Sequence, residues 1–176
     1  MLRVIRSVVF RIKLLIVRRQ LRNIKLLVCD VDGVLTSGAV LYAADGSVLK
    51  QFSVYDGLGL KQIQNLEITI AILSGGDGSA IAARARNLGI VDVFTDVIDK
   101  RQTLIELQSM KKIAIDETLF VGDDVNDLVV RDRVSLFIAP ANAVKCVRRK
   151  ADVVLTRTGG NSCIRQLTDE IVKVHK

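Results

Sequence analysis

The sequence predicts an α/β fold, a Rossmann-like three-layer sandwich around a mainly parallel sheet. Two observations carry that expectation. From Ile24 onward, short apolar runs alternate with helix-like stretches, the pattern of a parallel sheet covered on both faces. Three of the runs end in polar clusters, "DVDG", "SGG" and "GDDVND". Ligands of such sheets gather beyond the carboxyl ends of the strands, so clusters placed there point to one shared site.

Element by element, residues 24–29 read as a buried strand. Residues 39–42 and 47–54, separated by "AADG", read as a hairpin. Residues 57–65 have helical patterning and 69–73 form a second buried strand. A helix over 79–88 ends at Gly89, a natural C-terminal cap. A short strand at 91–94 precedes a helix from about 100 to 110. The strand 118–121 leads into "GDDVND" and a helix over 126–131. Short strands at 136–138 and 153–155, with helices at 144–149 and 162–174, complete the chain.

The 176 residues suit one well-cored domain. Three scattered cysteines, Cys29, Cys146 and Cys163, fit a reducing cytoplasm better than a disulfide framework, and no zinc-ligand spacing occurs. Strand alternation turns Cys29 away from Asp30 and into the core. The net charge of +7 is unevenly spread. Eight of the 26 basic residues fall within positions 1–25, which hold no acid; the remainder has 18 bases against 19 acids. The basic character therefore belongs to a leader, residues 1–23, and residues 24–176 form the domain.

That leader places Ile5, Val8, Val9, Ile12, Leu15 and Ile16 at helical spacing, while Phe10, Leu14 and Val17 interrupt its polar face. Its apolar runs are too short for a signal core or a membrane span. A basic helix lying on an anionic membrane is one reading. The favoured expectation is a helix packed on the domain or a neighbour, or a start codon placed too early. The domain has no basic groove studded with aromatics, so no nucleic-acid partner is expected.

Asp30 and Asp32 follow the first strand; Asp123, Asp124 and Asp127 follow the fourth. Turn and cap aspartates are common. Two clusters at adjacent strand ends, however, concentrate negative charge that a cation must offset. Hard oxygen ligands with room for water suit Mg²⁺.

These residues resemble the haloacid dehalogenase-like hydrolases, most of which are phosphatases. The "DxDGxLT" signature is Asp30 to Thr36, the strand ending in serine is "AILSGG", the lysine is Lys100, and the acidic motif is "GDDVND". The resemblance implies that Asp30 attacks phosphorus and forms an aspartyl-phosphate. Asp32 would protonate the leaving group and then activate water, its carbonyl also binding the metal. Asp123, with Asp124 directly or through water, would complete the Mg²⁺ ligands beside Asp30 and Asp32. Ser74 and Lys100 would bind phosphoryl oxygens, supported by Gly75 and by Asp127.

The intervals between these motifs leave no space for a cap domain. The longer pattern, with "APANA" and "ADVVLTRTGG", resembles the capless branch of 3-deoxy-D-manno-octulosonate 8-phosphate phosphatases, close to phosphatases of nine-carbon sugar-acid phosphates. The resemblance implies a phosphorylated sugar acid as substrate, a role in lipopolysaccharide biosynthesis, a cytoplasmic location, and a homotetramer built through projecting hairpins. It also offers the glycine-rich tail as a cover for the site. Three arginines usual in that branch are replaced by Tyr55, Gly76 and Asn161, while Arg84, Arg165 and Asp56 remain as candidate substrate contacts. Other small phosphate monoesters and, more distantly, a phospho-acceptor signalling domain are the alternatives.

Overall fold

A computed structural model describes residues 2–76 and 78–176 of the chain. Two helices, α1 (Leu2–Ile16) and α2 (Arg18–Asn23), precede the first strand, β1 (Leu26–Cys29). A tight turn follows, then a hairpin of β2 (Leu41–Tyr42) and β3 (Val48–Leu49), helix α3 (Val54–Gln64) and strand β4 (Thr69–Leu73). Helix α4 (Ser79–Leu88), β5 (Asp92–Phe94), α5 (Lys100–Lys111) and β6 (Thr118–Val121) come next. A 3₁₀ helix (Val125–Arg133), β7 (Leu136–Ala139), α6 (Lys145–Lys150), β8 (Val153–Val154) and α7 (Cys163–His175) complete the order.

The main sheet runs β5-β4-β1-β6-β7-β8, with every neighbouring pair parallel. Strand order reverses between β1 and β6, so the crevice beyond their carboxyl ends is the switch point where such sheets bind ligands. Alternate residues feed two cores. Leu27, Cys29, Ile70 and Ile72 face α3, α4 and α7, while Leu26, Val28, Ala71 and Leu73 face α5 and α6. Burial on both faces explains why the central strands are unbroken apolar runs. Phe120 and Phe137 stack across β6 and β7, ring centroids 5.7 Å apart.

Among the described residues, the elements between β1 and β4 are the tight turn, the small hairpin and α3, and those between β4 and α5 are α4 and β5, with no cap domain. The hairpin is shorter than the sequence suggests. Its expected second strand, 47–54, covers only Val48–Leu49, and the Ser53 side chain accepts from the Asp56 amide at 3.3 Å and starts α3 three residues early. The expected helix after "GDDVND" is instead a 3₁₀ segment. Gly89, at φ +70°, closes α4. His175 is half-buried, its Nδ1 2.9 Å from the Ile171 carbonyl.

The leader rests on the domain through Phe10, Val17 and Leu21, all buried, with Leu14 packed beside them. Arg22 Nε donates to the Val174 carbonyl at 2.9 Å, fastening α2 to the C-terminal end of α7. Among the described residues, no helix is long and apolar enough to cross a membrane.

Candidate active site

Asp30 stands directly after β1, with its backbone amide bonded to Val121 of β6 at 3.0 Å. Parallel pairing of β1 with β6 therefore sets it beside Asp123, two residues beyond the end of β6. The turn between them is closely fitted. Gly33 adopts φ +87°, and a Cβ there would lie 2.0 Å from Asp123 Oδ2. Gly122 is equally constrained, since a Cβ would meet Asp127 Oδ2 at 2.5 Å.

Lys100, the first residue of α5, is positioned by the Asp99 cap, whose Oδ1 accepts from Gln102 N at 2.9 Å. Its side chain is only 4 % exposed, and the ammonium lies 2.8 Å from Asp30 Oδ1 and 2.6 Å from Asp127 Oδ1. Burial alone would lower the pKa of that ammonium, but Asp30 and Asp127 reverse the effect and raise it above the usual lysine value. Asp127 also turns Oδ2 toward the backbone amides of Asp123 and Asp124, at 2.9 and 3.3 Å. One side chain thus ties the acidic loop to the lysine.

Carboxylate oxygens of Asp30, Asp123 and Asp127 lie within 4.8 Å of one another. Burial, then the charge of Asp127, pushes the Asp30 carboxyl up to about 6 despite the pull of Lys100. Asp123 is pushed up to about 7, first by burial and then by Asp30, Asp127 and Asp124. Asp123 Oδ1 is buried and has no hydrogen-bond partner. An orphaned carboxylate oxygen among crowded negative charges is what a hard divalent cation would satisfy, so this donor set fits Mg²⁺.

Asp124 and Asp32 stand outside that group. Asp124 is exposed, and its Oδ1 accepts from Val125 N at 2.7 Å as the cap of the 3₁₀ helix. The expectation for Asp124 is assistance to the metal directly or through water; its Oδ1 is engaged by the cap, and Asp127 stands in the inner group. Asp32 turns its carboxylate away from the cluster, where Lys50 Nζ grips both oxygens at 2.6 and 2.8 Å and Thr36 Oγ1 lies 3.3 Å from Oδ1. No sequence pattern points to Lys50. A lysine ending a hairpin strand reads as solvated, yet its side chain is 8 % exposed.

Ser74, at the end of β4, is buried and its Oγ accepts from Gly76 N at 3.1 Å. Gly75 is exposed in the same loop, where a Cβ would touch only the Val97 carbonyl, at 3.5 Å. A Cβ on Gly76 would stand 3.0 Å from Asp32 Oδ2, so the position points into the pocket.

Each expected substrate contact already has a partner within the protein. Asp56 is buried; its Oδ1 accepts from Arg165 N at 2.7 Å, and further amides from Ser162 and Ile164 converge on it. It caps α7 rather than facing a ligand, and burial raises its pKa. Arg84 donates to the Ser53 carbonyl at 2.8 Å and covers the Phe52 ring, its guanidinium filling the space that a side chain at Gly57 would need. That guanidinium is committed to the start of α3. Arg165 pairs with Asp169 at 2.7 Å and lines an open cleft of about 810 Å³ with Tyr55, Arg157 and Asn161.

Asn142, from "APANA", is a second unanticipated link. Its amide nitrogen donates to the Gly33 carbonyl at 2.9 Å and its oxygen accepts from Gly159 N at 2.7 Å. The glycine-rich tail is thereby held against the nucleophile turn; a Cβ on Gly159 would lie 1.8 Å from the Gly33 oxygen.

Residues 41–165 match the model of a haloacid dehalogenase-like hydrolase family. The chain belongs to that family. It is 35 % identical over 156 residues to the 3-deoxy-D-manno-octulosonate 8-phosphate phosphatase of Haemophilus influenzae, covering 89 % of this chain and 87 % of that one. Among solved structures, the enzyme of that name from Yersinia pestis superposes with a TM-score of 0.88 at 32 % identity, over 90 % of this chain and 86 % of that one. The Moraxella catarrhalis enzyme, solved with magnesium, phosphate and the octulosonate, gives 0.87 at 32 % identity, over 90 % and 91 %. A haloacid dehalogenase superfamily hydrolase from Legionella pneumophila reaches 0.90 at 34 % identity, over 94 % and 91 %.

Proposed function

We propose that this chain is a phosphoric monoester hydrolase that uses Mg²⁺ and acts on a phosphorylated sugar acid, 3-deoxy-D-manno-octulosonate 8-phosphate. The observation that carries the reading is Asp30 held between a buried lysine and an orphaned carboxylate oxygen of Asp123. A carboxylate buried in this way becomes a nucleophile once its charge is offset.

Asp30 attacks phosphorus in line and becomes an aspartyl-phosphate as the P–O bond to the sugar breaks. Asp32, entering the cycle protonated, delivers that proton to the departing alkoxide; as the resulting carboxylate it removes one from the water whose oxygen displaces Asp30 from phosphorus, which restores its starting form. Its side chain is 40 % exposed, which suits a group that meets both leaving group and solvent. Lys50 orients that carboxylate. Lys100 and the Ser74 hydroxyl face the phosphoryl oxygens and stabilise their charge. Asp30 and Asp123, with the Asp32 carbonyl, would hold Mg²⁺, which lowers repulsion between the phosphate and the attacking carboxylate. Asp127 keeps Lys100 in place.

Recognition of the sugar acid is weaker in this chain than in the branch it resembles. Tyr55 and Asn161 line the open cleft, and Gly76 leaves space at the pocket edge. The second reading is a nine-carbon sugar-acid phosphate or another small monoester, and those three replacements, with Arg84 committed to Ser53, favour the latter. A homotetramer in the cytoplasm completes the proposal. Its support is the hairpin, which leaves Val40, Leu41, Tyr42 and Leu49 exposed.

The test is phosphate release with Mg²⁺ from the octulosonate 8-phosphate, a nine-carbon acid phosphate and plain hexose phosphates. Highest kcat/KM on the octulosonate supports the first reading. Preference for a hexose phosphate would end the sugar-acid assignment.

A further inference from the structure

We propose that the outward face of α1 docks on an anionic lipid surface, holding the enzyme against a membrane as a peripheral protein. The helix is apolar on two opposite sides. Phe10 and Leu14 form the narrow seam on the domain. On the other side, Ile5, Val8, Val9, Ile12, Leu15 and Ile16 are 50–69 % exposed, at the spacing of one continuous stripe. Water-facing aliphatic side chains at this density mark an interaction site.

Charge identifies the occupant. At 100° per residue, Arg11 and Lys13 flank the stripe on its two edges, and both are exposed. Residues 1–25 contain no acid. A groove of about 470 Å³ beside α1 joins Ile5, Val9 and Lys13 to Arg148 and Arg149 of α6. That helix, "KCVRRK", also exposes Lys145 and Lys150. The domain, near neutral overall, thus adds its own basic helix next to the leader. A second copy meeting this face with its own leader would bring more basic side chains and no acid to pair with Arg11 and Lys13. Anionic headgroups supply the opposite charge, while the stripe sinks into the acyl boundary and the long basic side chains reach back to the phosphates.

The full chain is tested by flotation with vesicles of phosphatidylcholine alone or with about one third phosphatidylglycerol. The chain has no tryptophan, so Ile12→Trp provides a single reporter in the stripe. Binding to the anionic vesicles alone, with a blue-shifted emission, is the expected result. Replacing Arg11 or Lys13 by glutamine should weaken it by about fivefold each. Val8→Asp with Ile12→Asp should abolish it and leave phosphate release unchanged, which also shows that the variant is folded. Absence of binding, or equal binding to neutral vesicles, overturns the proposal. So does a reporter already blue-shifted without lipid in a mass that rises with protein concentration, which would assign the stripe to another copy of the chain.

Discussion

Lys100→Met asks whether a buried cation holds two carboxylates together when no metal is bound. The ammonium sits 2.8 Å from Asp30 and 2.6 Å from Asp127 and is nearly sealed from water. Methionine fills similar space but leaves both charges uncompensated, and breaking a buried pair in this way costs about 3–5 kcal/mol. For a chain of this size each kcal/mol corresponds to roughly 2–4 °C in Tm, so the variant should melt about 10 °C earlier in EDTA at pH 8. The pH dependence identifies the cause. The folded-state pKa of Asp30, about 6, lies above its unfolded value, so the folded state binds the proton more tightly. That contribution to stability is present at low pH and is lost as pH rises through about 6. Without Lys100 the carboxyl titrates higher still, so the variant's deficit should shrink toward pH 5 and widen toward pH 8. Thermal melts followed by circular dichroism measure both. A deficit absent at pH 8, or one that grows on acidification, refutes the reasoning.

Three further outcomes are expected. Because Asp30 and Asp123 stand at about 6 and about 7 without metal, Mg²⁺ binding should release protons and tighten from pH 5.5 to 8. Calorimetric titration in buffers of different ionisation enthalpy would show this, and a pH-independent affinity would contradict it. Gly33→Ala places a methyl group on Asp123 and forces a strained φ, so Mg²⁺ affinity should fall about tenfold or more by the same titration. Equal affinity would mean the turn does not fix that ligand. Lys50→Met should lower kcat about 10–100-fold with a smaller change in KM, since its main effect is to free the Asp32 carboxylate at the pocket edge. A rise in KM alone would instead make Lys50 a substrate contact.

The central sheet was readable because its strands are buried on both faces and carry no competing pattern. The bounds of β4 and β6 follow directly from the runs "TIAIL" and "TLFV". The hairpin was less readable, because Phe52 to Val54 have strand-like composition while Ser53 captures an amide and starts a helix. In "GDDVND", spacing alone does not decide which aspartate turns inward. Asp124 has a local amide to cap, leaving the interior to Asp123 and Asp127. Lys50 and Asn142 are illegible for a different reason: each acts on a residue well separated in sequence, and the pattern around neither names its partner. The leader's apolar spacing was plain, but the residues that dock it are Phe10, Leu14 and Val17, which had looked like interruptions of its polar face.

Covalent capture of phosphate on Asp30 tests the account most directly. Acid quench during turnover with Mg²⁺ and substrate, followed by peptide mass spectrometry, should find a phosphoryl group on the peptide bearing Asp30, and none with Asp30→Asn, which should also release no phosphate. Turnover by Asp30→Asn at the wild-type rate, or a phosphoryl group trapped on another residue, would contradict it.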